Sequence, residues 1–159
     1  MSDHYDIVSA LSTILIRSKL LEDHVFNDYR PLPDSDLTSA YPLGIFEIVG
    51  SRSIPKGFVV TPGDSTKVPF YWYESTIQLT LVALKKCTSR RTLIELERAI
   101  RQGLIRFMGC IHHLYVISVV ANQPIPNFDQ QGVFLRYTTD YQVTFYERTV
   151  NNGKSKACC

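Results

Sequence analysis

The strongest constraint in this sequence is a long stretch of alternation near its centre. Between residues 70 and 84, Tyr71, Tyr73, Ile77, Leu79, Leu81 and Ala83 alternate with Glu74, Thr76, Gln78 and Thr80. Successive side chains of a strand point to opposite faces, so this period of two places the apolar set on one covered face. At roughly 3.3 Å per residue the segment spans about 50 Å, well beyond an ordinary strand. A second segment of the same kind covers residues 133–150, with Val133, Leu135, Tyr137, Tyr141, Val143 and Phe145 opposite Arg136, Asp140, Gln142 and Thr144. Strands of this length overhang a small domain body, and the expected use of an overhang is pairing with a neighbour's sheet edge.

The covering layer is legible as two helices. Ile7, Val8, Leu11, Ile14 and Leu15 recur at helical spacing within residues 3–22, with Ser2 or Asp3 placed to cap the start. Leu93, Leu96, Ile100, Leu104 and Phe107 do the same over residues 90–107; Thr88-Ser89 offers an N-cap and Gly109 a C-terminal stop. Residues 43–49 and 114–121 read as two further strands. Residues 27–42, with three prolines, read as a connector. Residues 50–69, with three prolines and three glycines, read as an extended interaction loop containing a short hairpin around Phe58–Val60. The order is α-β-β-α-β-β, and the expected architecture is α+β with two layers, a mixed or antiparallel β-sheet packed against two helices. One domain is expected over residues 1–150, followed by a flexible C-terminal tail at 151–159.

Composition narrows function mostly by exclusion. With 17 Lys and Arg against 15 Asp and Glu, the net charge of +2 is too even for a dedicated nucleic-acid binder. No apolar run reaches the roughly 18 residues of a membrane span, and the first residues carry no basic region of a secretory signal. The chain has no GxxxxGK[ST] phosphate loop, no GxGxxG, no GxSxG elbow and no HExxH. Cys87, Cys110, His112 and His113 lack the paired spacing of a zinc site, and Cys110 lies too close in sequence to His112 and His113 to set up a nucleophile–base pair. No catalytic, cofactor-binding or metal-binding residue is therefore assigned, and the expectation is a protein that is not an enzyme.

Two features remain for interaction. The run Phe70-Tyr71-Trp72-Tyr73 suits either core and subunit-interface aromatics or a stacking platform for single-stranded nucleic acid, and its neighbours Glu74, Ser75 and Thr76 favour the former. The terminal Cys158-Cys159, after Lys154 and Lys156, looks like the lipidated tail of vesicle-traffic GTPases, a reading excluded by the missing nucleotide motifs. An inter-subunit disulfide through Cys158 and Cys159, in an oxidising setting, and a tail without consequence both stay open.

In element order and texture, residues 3–150 resemble the tail terminator, or tail-completion, family of long-tailed bacteriophages. The resemblance is carried by the opening amphipathic helix, the Pro-rich connector, the strand at 43–49, the long strand at 70–84, the helix at 90–107 and the final alternating Thr139-Asp140-Tyr141-Gln142-Val143-Thr144-Phe145. The loop at 50–69 and the Cys-Cys tail fall outside that pattern. The resemblance implies a homohexameric ring in the virion, assembled in the host cytoplasm, that caps the tail tube and joins it to the head. Its partners would be further copies of itself, the tail tube protein and neck, connector or sheath proteins, with no membrane, no cofactor and no specific nucleic acid. Arg52, Lys56 and Phe58 on the loop, with Tyr71 and Tyr73 beside it, are the expected contact residues. Another neck, head-closure or baseplate protein is the alternative within this class; a small enzyme or a single-stranded nucleic-acid-binding module lies further off.

Overall fold

The computed structural model describes residues 2–17, 25–26, 42–60, 63, 65–128 and 132–148. Helix α1 (Ser2–Arg17) is followed by β1 (Val25–Phe26), β2 (Leu43–Val60), β3 (Lys67–Leu84), α2 (Arg90–Ile105), β4 (Gly109–Ile111), β5 (Leu114–Ala121), β6 (Ile125–Asn127) and β7 (Phe134–Glu147). The strands form one seven-stranded sheet in the order β1-β2-β3-β7-β5-β4, with β6 continuing along β7. All pairings are antiparallel except β1 with β2, so the sheet is mixed. This is the expected two-layer α+β architecture. The expected connector at 27–42 and tail at 151–159 lie outside the described residues, apart from Pro42.

Alternation decides which face is covered. Phe46 on β2, Ile77, Leu79, Leu81 and Ala83 on β3, Leu135, Tyr141, Val143 and Phe145 on β7, and Leu114, Val116 and Val119 on β5 join Ile7, Val8, Leu11, Ile14, Leu15, Leu93, Ile100 and Leu104 of the helices in one core. Each such large aliphatic side chain taken from water contributes roughly 1.5–3 kcal/mol. The opposite face is polar over its centre: Gln78 Nε2 donates to Asp140 Oδ1 at 2.9 Å, and the Thr80 and Thr138 hydroxyls lie 3.3 Å apart. A second, smaller cluster of Leu43, Ile45 and Val82 lies on that opposite face, toward one end of the sheet.

A buried carboxylate interrupts the core. Glu97 of α2 is nearly inaccessible, accepting at Oε1 from Arg101 Nε at 3.0 Å and from the Thr139 hydroxyl at 3.2 Å. The neighbouring Tyr141 is fully buried, and its hydroxyl has no hydrogen-bond partner among the described residues. Thr139, whose hydroxyl donates to Glu97, lies beside it and works weakly against the upward shift of its pKa. Burial, reinforced by the Glu97 charge, pushes the Tyr141 hydroxyl well above the ordinary tyrosine range.

The structure corrects the expected loop at 50–69. Residues 50–60 extend β2, residues 67–69 extend β3, and the two strands pair continuously to Val60↔Lys67. The prolines and glycines that read as breakers are absorbed locally. Register shifts fall at Ile48/Gly50 and Pro55/Gly57, and Gly57 takes φ +113°, a backbone state open to glycine at a bulge. Pro55 is tolerated because β2 is an edge strand there, where a missing N–H breaks no ladder.

Gly109 is likewise not the stop of α2. The helix closes at Arg106, whose backbone N–H bonds Leu104 O, and Gly109 instead opens β4 at φ +139°. Ile111 pairs with Leu114, leaving His112-His113 as a two-residue turn. His112 accepts the left-handed φ of +52° that such turns demand, with its Nε2 3.2 Å from Thr13 Oγ1 on α1.

Candidate assembly surface

Strand β7 pairs with β3 only as far as Tyr73↔Phe145. Beyond that point β3 has β2 as its sole partner among the described strands, so residues 54–60 and 67–72 form a two-stranded ribbon projecting about 20 Å from the sheet. A lone two-stranded ribbon is marginally stable in water, which makes its anchorage and its exposed side chains the points of interest.

The root is firmly held. Arg52 reaches Glu74 Oε1 from both Nη2 at 2.7 Å and Nε at 3.0 Å, and Gln142 Nε2 donates to the same oxygen at 2.6 Å. On the other face Tyr73 packs on the core and stacks on Phe145 with centroids 5.7 Å apart. Further out, Lys56 Nζ lies 4.2 Å above the Trp72 ring, a cation–π contact across the ribbon. Phe70 meets Tyr146 edge-on at 5.5 Å, and Tyr146 stacks on Tyr115 at 5.2 Å.

The outer part is apolar and wet. Phe58 is 67 % exposed, and Val59, Val60, Val68 and Tyr71 are exposed as well. Beside the ribbon's base, an open cleft of about 520 Å³ is lined by Val68, Pro69, Phe70, Tyr71, Tyr73, His113, Glu147 and Arg148. The Arg148 amide donates to His113 O at 2.8 Å, fixing the end of β7 against the β4–β5 turn along one wall.

Of the expected contact residues, then, Lys56, Phe58 and Tyr71 lie on the projecting ribbon, while Arg52 and Tyr73 serve at its root. Alternation splits the run Phe70-Tyr71-Trp72-Tyr73 between two faces, so its four rings form no single platform. Sequence reasoning missed Val59, Val60 and Val68 as one exposed patch, and His113, Glu147 and Arg148 as cleft residues. The short hairpin expected around Phe58–Val60 does form, as the outer end of this ribbon, with Val60 paired to Lys67.

Edge pairing with a neighbour, the expected use of the overhang, is disfavoured by the ribbon's own chemistry. Pro55, Pro69, Lys56, Lys67 and the Pro55/Gly57 bulge are the devices that blunt exposed strand edges. Contact through side chains of the tip is the mode this surface suits.

The other weighed residues stay apart from the ribbon, apart from His113 in the cleft. Cys87 is exposed just beyond the end of β3 and Cys110 half-buried in β4, neither of them in a disulfide. No group of three or more His, Cys, Asp or Glu that could hold a metal occurs among the described residues. None of the described helices is long and apolar enough to cross a membrane. Cys158 and Cys159 lie outside the described residues.

These features define a class by architecture: a mixed sheet with helices on one face and a hairpin arm reaching past its edge. No protein-family profile matches the chain, and no curated protein does. Among solved structures, it is similar to a chain from the "Virion of native gene transfer agent (GTA) particle", with a TM-score of 0.53 and 10 % identity, over 87 % of this chain and 93 % of that one. At that identity the similarity shows a shared fold.

Proposed function

We propose that this chain is a structural protein of a phage-like virion, and within it a tail terminator whose copies close into a ring of six that caps the tail tube and joins it to the neck. The observation that carries the reading is the hairpin arm, rigid at its root and apolar at its tip, which a self-contained domain has no need to build. The likeness to a virion chain over nearly its whole length supports it, as does the resemblance of its sequence to tail terminators in element order. Head-to-tail contacts, in which one patch meets a different patch on the next copy, generate rings when the rotation closes. The arm tip and a separate surface on the neighbour would be two such patches.

The test removes the arm and keeps every pair between β3 and β7. Ser53 and Tyr73 are directly paired, so an Asn-Gly turn between them closes a shorter hairpin. The shortened protein should keep its cooperative unfolding and lose both self-association and tail joining. Assembly to the wild-type mass would remove the arm from the account.

A further inference from the structure

An arm that docks on the next copy needs a surface there to receive its tip, and the cleft at the arm's base has the lining for it. On β3 the core-facing residues are the odd-numbered ones, and the strand pairs with β7 without a register shift as far out as Tyr73. The same face then continues to Tyr71 and Pro69. Ile77 and Leu79 on this face are buried, whereas Tyr71 is exposed. The apolar face therefore runs on past the point where the described residues cover it.

The cleft is closed on its other side by Glu147 and Arg148 at the end of β7 and by His113 of the β4–β5 turn. The bond from the Arg148 amide to His113 O holds that wall, and the stack of Tyr73 on Phe145 holds the base. Its volume of about 520 Å³ is in the range of pockets that enclose a ligand. Glu147 and Arg148 are of opposite charge, so the cleft suits an apolar anchor rather than a polyanion.

The tip supplies such an anchor. Phe58 lies on β2, is exposed, and is not among the cleft's walls, so the chain does not fill its own cleft with it. Aromatic side chains seated in a partner's pocket carry much of the binding energy of an interface. Charge agrees: Lys67 at the tip and Glu147 at the cleft are both exposed, and neither makes an ion pair with another described residue.

We infer, on the basis of the ring proposed for this chain, that the cleft receives the Phe58 tip of a second copy. Each copy then offers one tip and one cleft, two different surfaces that meet head to tail, as a ring requires.

The test mixes two full-length variants that each lack one half of the contact. Phe58→Ser spoils the tip, and Tyr71→Lys, at an exposed position on the cleft wall, spoils the acceptor. Each alone should unfold cooperatively and associate at least about tenfold more weakly than wild type. Glu147→Arg, on the opposite wall, should act as Tyr71→Lys does and replaces it if that variant fails to fold. The equimolar mixture retains one sound tip and one sound cleft. Sedimentation equilibrium should therefore show a heterodimer of about 36 kDa, two copies of the 18.1 kDa chain, and nothing larger. Folded cleft variants that reach the wild-type mass would overturn the cleft as acceptor and leave the arm reading standing; the same result is expected if residues 149–159, which follow Arg148, are the occupant. A mixture that stays monomeric while wild type assembles would overturn the head-to-tail pairing. A wild-type chain that is monomeric at every concentration removes the ring and this contact together.

Discussion

Phe58→Ser is the sharpest test of the arm tip. Phe58 is 67 % exposed in the single chain. A phenylalanine buries about 200 Å² when fully enclosed, so docking on a neighbour would remove some 130 Å² more from water. At about 25 cal/mol per Å² that contributes near 3 kcal/mol per contact, a weakening of subunit association by more than 100-fold. The share already covered in the monomer is a third of the side chain, so unfolding free energy should fall by less than about 2 kcal/mol. Sedimentation equilibrium reads the first quantity and urea denaturation the second. The expected variant is a folded protein with a sharply reduced mass at micromolar concentration. Wild-type association would refute the reasoning, as would a stability loss of the 3–5 kcal/mol typical of core truncations.

Three further outcomes follow from the fold. Tyr141→Phe removes a buried, unpartnered hydroxyl, so its urea-derived stability should match or exceed wild type by up to about 2 kcal/mol; a clear loss would mean the hydroxyl is bonded. The same variant bears on alkaline stability. Because folding raises the Tyr141 pKa above its ordinary 10.0, its contribution is intact below pH 10 and is lost as pH rises beyond it, so Tyr141→Phe should flatten that part of the stability–pH curve. Gly109→Ala meets no atom within 4 Å but forces alanine to φ +139°, and should lower stability by about 1–3 kcal/mol; Gly50→Ala, equally uncrowded and without positive φ, should stay within about 0.5 kcal/mol in the same denaturation assay.

Much of the fold was legible because its signals are periodic. Ile77, Leu79 and Leu81 alternate, and Leu93, Ile100 and Leu104 recur at helical spacing, so the sheet and its covering helices follow from pattern alone. The 114–121 strand was legible for the same reason, from its β-branched run. The ribbon was hidden because a bulged edge strand tolerates what a central strand rejects: Pro55, Gly57 and Pro69 read as punctuation, and only the pairing with β3 shows them in register. Strands as short as β4 and β6 carry too few residues for a period. The site was legible in part: Lys56, Phe58 and Tyr71 stood out by residue type. By contrast, Glu147, Arg148 and His113 come together only through the tertiary meeting of β7 with the β4–β5 turn, and no local pattern announces that.

The central claim, a ring built through the arm, is tested most directly by the solution mass of the unmodified chain, measured by light scattering on a sizing column with and without reductant. The account predicts about 109 kDa, six copies of the 18.1 kDa chain, in both conditions. A monomer at every concentration, or a mass that collapses when reductant is added, would contradict it.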